Sequence, residues 1–157
     1  MKNLVLGLLI SLLSIGCGSQ QVLSPEQSKG RILTVTHGGG FTGKYTTYSI
    51  LENGQIFKLD QDSDHYYEQK SMKEDFAKQL FNNYDVLDIA NVEIETYGNL
   101  LYSITMKSQD IQHKVSWERG DKGSEKLQVF YRNVMNQILI SNNADTESEK
   151  SGIKAKF

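Results

Sequence analysis

The chain has 157 residues, 17 basic and 19 acidic side chains and a formal charge of −2. That balance lacks the basic face on which nucleic-acid binding depends. The lysines and acids are interleaved, which leaves no charged run for a membrane surface, and a single cysteine excludes an internal disulfide framework.

Lys2 gives the N-terminus a positive start, and Leu4 to Leu13 form an apolar run broken only by Gly7 and Ser11. The small residues Ser14 and Gly16 follow, completing a signal-peptide pattern. At about ten residues the run is half of what a membrane-spanning helix requires. Ser14-Ile15-Gly16-Cys17 resembles the lipobox of bacterial lipoproteins, with Ser14 at the position where most such boxes carry leucine. The resemblance implies that residues 1–16 are removed and that Cys17 is acylated, so that the lipid makes the membrane a partner. Acylation would also account for a lone cysteine in an exported chain. Gly18-Ser19-Gln20-Gln21 offers no acidic sorting signal, so the expected location is the cell envelope, at the outer membrane facing the periplasm.

Residues 17–30 then read as a flexible tether, polar and containing the only proline, Pro25. Arg31 to His37 reads as a strand broken by Gly38-Gly39-Gly40, and Lys44 to Glu52 as a second strand rich in Thr, Tyr and Ile. Asn53-Gly54 suits a type I′ turn, which folds Gln55 to Leu59 back as an antiparallel partner. Ser71-Met72-Lys73-Glu74 is a capping box opening a helix to about Tyr84, with Met72, Phe76, Leu80 and Tyr84 on its apolar stripe and Ala77 and Phe81 widening it. Leu100, Tyr102, Ile104 and Met106 alternate along one strand, and beyond Ser108-Gln109-Asp110 so do Ile111, His113, Val115 and Trp117. Ser124 to Ser141 places Leu127, Phe130, Tyr131, Val134 and Ile138 on one helical face. Residues 142–157 form a polar C-terminal tail. The order βββαββα predicts an α+β fold over residues 31–141, an antiparallel sheet of about five strands with two helices packed on one face.

Few residues suggest chemistry. His37-Gly38-Gly39-Gly40 matches the oxyanion loop of some lipases, but no Gly-x-Ser-x-Gly elbow accompanies it. Asp60, Asp62 and Asp64 alternate like the opening ligands of a calcium loop; His65 then stands where that loop needs glycine and Ser71 where it needs glutamate, which favours a solvated acidic loop. His37, His65 and His113 are scattered, with no metal-ligand spacing. Core packing is expected to absorb Tyr48, Tyr84, Tyr102, Tyr131 and Trp117, leaving Tyr66 and Tyr67 exposed. No nucleophile, base and orienter assemble, so neither an enzyme nor a cofactor is expected.

Two stretches carry a resemblance: Gly38-Gly39-Gly40-Phe41-Thr42-Gly43 with the Tyr/Thr strand after it, and Tyr97-Gly98-Asn99-Leu100-Leu101-Tyr102 running on to Val115-Ser116-Trp117. They look similar to small Bacteroidota-like lipoproteins of unknown function. The layout over most of residues 31–141 also resembles emfourin, a proteinaceous inhibitor of thermolysin-like metalloproteases, with Gly39, Gly40, Phe41 and Gly43 as the contiguous match. This chain departs from it in longer hairpins and an added acidic loop. The resemblance implies a binding module acting on a protease or another envelope protein through Gly38, Gly39, Gly40, Phe41, Thr42 and Gly43. Glycine permits close backbone approach to a partner's cleft and Phe41 would be the anchor. The competing expectation is a structural or accessory envelope lipoprotein without a dedicated site. An exposed Phe41 favours the first and a buried one the second.

Overall fold

Alternation of apolar and hydroxyl side chains sets the centre of the molecule. In Ile32–Gly39 (β1), Leu33 and Val35 are buried on one face while Thr34 and Thr36 point to the other. The other strands of the sheet are Lys44–Leu51 (β2), Ile56–Asp60 (β3), His65–Gln69 (β4), Leu100–Ser108 (β5) and Ile111–Glu118 (β6). The computed structural model describes residues 23–152; the signal segment 1–16, Cys17 and the start of the tether lie outside the described residues.

All pairings are antiparallel, in the order β4-β3-β2-β1-β5-β6. The helices Glu74–Val86 (α1) and Glu125–Gly152 (α2) complete the α+β fold. Both cover the same face, where Ala77, Leu80, Phe81 and Tyr84 of α1 and Leu127, Phe130, Val134 and Ile138 of α2 join Leu33, Val35, Ile50, Ile56, Ile104, Val115 and Trp117 in one buried cluster. Each large side chain so buried contributes roughly 1.5–3 kcal/mol. Among the described residues no helix is long and apolar enough to cross a membrane.

The sheet has six strands, not five. The additional one, β4, is an edge strand formed from residues expected to be an acidic loop. Among the described residues its outer edge lacks a partner strand and only Tyr66 of the strand packs on an apolar cluster, so its sequence carries no apolar alternation. The β2–β3 hairpin exists with a different turn. Gly54 N donates to Leu51 O at 3.0 Å and Leu51 N to Gln55 O at 3.0 Å, a three-residue loop in which Gly54, at φ +90°, is the only left-handed residue.

That turn also displaces the helix start. Met72 N donates to Gly54 O at 2.9 Å, which holds the Ser71–Met72 segment off the helical path. α1 therefore opens at Glu74 after Lys73, which makes no side-chain cap, and the capping box does not form. Phe76, expected on the apolar stripe, is 43 % exposed, and the buried face is Ala77, Leu80, Phe81 and Tyr84. α2 runs past the expected end at Ser141 to Gly152. Within the expected tether, Pro25–Gln27 form a single 3-10 turn that packs against β2 with Pro25 buried.

The open face of the sheet is mostly hydroxylic. Thr34 pairs with Ser49 and Thr36 with Thr47, each at 3.0 Å between oxygens, beside a small apolar cluster of Ile32, Leu51, Phe57 and Tyr66. Arg31 joins three elements: its guanidinium reaches Glu52 at 2.9 Å and Asp85 at 2.8 Å and lies 5.1 Å from the centre of the Phe81 ring. The outer edge of β6 is covered by residues 94–96, through Ser116 N to Ile94 O at 2.9 Å and Thr96 N to Ser116 O at 3.0 Å.

Candidate functional site

The glycine run does not break β1. Pairing continues through Gly38 with Tyr45 and Gly39 with Lys44, and the chain reverses at Gly40-Phe41-Thr42 before Gly43. Glycine is required at two of these positions. A Cβ on Gly38 would lie 2.2 Å from Lys44 O, and one on Gly39 2.3 Å from Asn99 O.

Neighbours brace the tip on both flanks. Gly40 N donates to Asn99 O on one side. On the other, Gln61 Oε1 accepts from Tyr45 N at 2.9 Å while Gln61 Nε2 donates to Gly43 O at 3.5 Å. Within the tip, Thr42 Oγ1 donates to Gly39 O at 3.4 Å and Gly43 N donates to Gly40 O at 3.2 Å. Phe41 takes no part in the core: its relative exposure is 107 %, so this large apolar side chain meets water on all sides.

The tip is not the only exposed apolar surface at this end of the sheet. Tyr97 (83 %), Leu100 (47 %) and Tyr45 (38 %) are exposed there too. β1–β5 pairing sets Leu100 opposite Gly39, and β1–β2 pairing sets Tyr45 opposite Gly38. Tyr45 and Tyr97 border a shallow groove of about 390 Å3 on the hydroxyl face, lined also by Thr36, Ser103, Thr105 and Lys114. Sequence reading missed Tyr45, Tyr97 and Leu100 as companions of Phe41. Their sequence signals were the Tyr/Thr strand that holds Tyr45 and the tyrosine-bearing stretch beginning at Tyr97.

The acidic loop is occupied with its own turn. Asp60 Oδ1 accepts from Asp62 N at 3.0 Å and Oδ2 from Ser63 Oγ at 2.9 Å, and Asp64 adopts a left-handed φ of 54°. The Asp62 amide first, and then the Ser63 hydroxyl, hold the Asp60 carboxyl below its ordinary range. Asp60, Asp62 and Asp64 do not converge. Among the described residues no group of three or more His, Cys, Asp or Glu side chains is disposed to hold a metal.

The histidines are engaged with tyrosines. Tyr84 OH lies 2.8 Å from His113 Nδ1, and His113 Nε2 lies 3.1 Å from Val92 O. A carbonyl can only accept, so Nε2 carries the proton and Nδ1 accepts from the tyrosine. Burial pushes the Tyr84 hydroxyl up to about 12, keeping it a donor. His37 Nδ1 is hydrogen-bonded to Tyr131 OH, and burial lowers the His37 pKa while raising that of Tyr131.

Tyr67 is exposed at 53 % as expected, whereas Tyr66 is half-buried on the small cluster. Among the described residues no serine or threonine hydroxyl hydrogen-bonds a histidine. The chain matches no protein-family model and no curated protein.

Proposed function

We propose that this chain is a cell-envelope lipoprotein, anchored through Cys17 at the outer membrane and facing the periplasm. Its domain binds a protein partner through the Gly38–Gly43 tip, in the manner of an emfourin-like protease inhibitor. The observation that carries this reading is Phe41, fully exposed on a hairpin tip whose glycines are fixed by backbone contacts. Holding a large apolar side chain in water has a cost that a partner's pocket would relieve. A braced loop also loses little freedom on binding.

The direction of β1 supports the same reading. The chain enters the sheet at Ile32 from the N-terminal side and reaches the tip after Gly39. Eight residues at roughly 3.3 Å each put the tip about 25 Å from the end of the strand nearest the anchor. A tether at Cys17 would thus present Phe41 away from the membrane.

The test is inhibition of a thermolysin-like protease by the purified chain. Wild type is expected to inhibit in a dose-dependent way, and Phe41→Ala to weaken inhibition about thirtyfold, the size of a hot-spot truncation. No inhibition by wild type would remove the inhibitor reading and leave an accessory envelope role. The anchor has its own test: Cys17→Ser is expected to leave the precursor uncut and unlipidated, and normal processing with undiminished partition into detergent would count against it.

A further inference from the structure

Gln128 and Arg132 are one turn apart on α2 and project together. They face the end of the β5–β6 hairpin, where Tyr102 stacks on Trp117 with ring centroids 6.0 Å apart and planes inclined by 18°. Tyr131 stands edge-on to both rings, at 5.4 Å from Tyr102 and 6.0 Å from Trp117. With Arg119, which follows β6, these residues enclose a pocket of about 260 Å3.

The charge in this pocket is unbalanced. Of the three arginines in the chain, Arg31 is committed to Glu52 and Asp85. Among the described residues the guanidiniums of Arg119 and Arg132 have neither an ion-pair nor a hydrogen-bond partner. The acids next to Arg119 in sequence point elsewhere: Glu118 Oε1 accepts from Leu100 N at 3.4 Å, and Asp121 Oδ2 accepts from Thr96 Oγ1 at 2.7 Å and Glu118 N at 2.9 Å. Two arginines thus line one pocket with an aromatic floor, and neither is paired with an acid among the described residues.

We infer that this pocket binds a small organic acid, its carboxylate held by Arg119 and Arg132 and its flat apolar body lying against Tyr102 and Tyr131. The guanidinium fork matches a carboxylate in geometry and charge, and ring faces and edges favour a planar apolar body. The volume is just below the roughly 300–1,000 Å3 of drug-sized ligand sites, which sets the occupant near a single substituted ring. Gln128, whose Nε2 donates to Ser124 Oγ at 2.7 Å, keeps its second amide hydrogen for the same carboxylate.

Trp117 is the only tryptophan and lines the pocket, so its emission reports on occupancy directly. The experiment titrates the full chain, in mild non-ionic detergent, with phenylacetate and with its neutral isostere phenylacetamide. A saturable change with phenylacetate is expected, with the amide about tenfold weaker or more. Arg119→Gln and Arg132→Gln should each weaken phenylacetate binding by about tenfold, the size of one charge-assisted contact. Lys107→Gln, at the far end of β5, should leave it unchanged. An absent response to phenylacetate, an equal response to the amide, or undiminished binding in both arginine variants overturns the assignment. Far-UV circular dichroism checks the variants, and where one misfolds, the acid-against-amide comparison on wild type decides.

Discussion

Gly38→Ala is expected to destabilise the domain by about 2–4 kcal/mol, a large share of the roughly 5–15 kcal/mol that holds such a domain together. The added methyl would lie 2.2 Å from Lys44 O and 2.6 Å from Tyr45 Cα, both backbone atoms of the paired strand, at a φ of +148°. No rotamer change relieves such a contact, so the β1–β2 ladder must open at its tip. Gly40→Ala is the control: its φ is +68° but nothing lies within 4 Å, and left-handed backbone alone costs an alanine about 1–2 kcal/mol. Urea denaturation of both variants separates the effects, and a Gly38→Ala midpoint matching wild type would show that the close approach is absent.

Phe81→Ala is expected to cost about 3–5 kcal/mol, whereas Phe41→Ala should stay within about 0.5 kcal/mol of wild type. Phe81 is fully buried between α1 and the sheet, with the Arg31 guanidinium over its ring, so truncation leaves a cavity and removes a cation–π partner. Phe41 has no packing to lose. Equilibrium denaturation of the two variants side by side tests this. Comparable losses from both would mean that Phe41 packs inside the domain, and the binding reading would fail with it.

The parts of the fold legible in the sequence are those in which local pattern and tertiary burial agree. The hairpin at Asn53-Gly54 and the alternation from Leu100 to Trp117 each face one buried side, so sequence periodicity and structure coincide. β4 escaped because an edge strand has little to bury, and its Tyr66-Tyr67 pair sits between charged and amide neighbours. The Ser71 cap escaped for a different reason: Met72 N is taken by Gly54 O, a partner eighteen residues back, and local capping chemistry cannot anticipate it. For the site, the glycines announced an unusual backbone, but which way Phe41 points depends on Asn99 and Gln61, and these arrive by pairing of distant strands. Arg119 and Arg132 are equally unremarkable in sequence, because only the packing of α2 on the sheet brings them to one pocket.

The place of β1 in the sheet bears on how the chain reaches this state. Its pairing with β2 closes a short hairpin, but its pairing with β5 joins Val35 to Ile104 and must wait until everything from β2 to the end of α1 has been looped out. Loop closure over such a span is entropically costly and returns its contacts only once complete, the topology associated with slower folding. Two halves, β1 to β4 with α1 and β5–β6 with α2, can each gather local contacts early, and the seam between β1 and β5 is then the last piece of the sheet to zip. The exposed tip is the turn of the β1–β2 hairpin and the Tyr102 pocket is lined by β5, β6 and α2, so each belongs to one half, and only the brace from Gly40 N to Asn99 O spans the seam and waits for its closure.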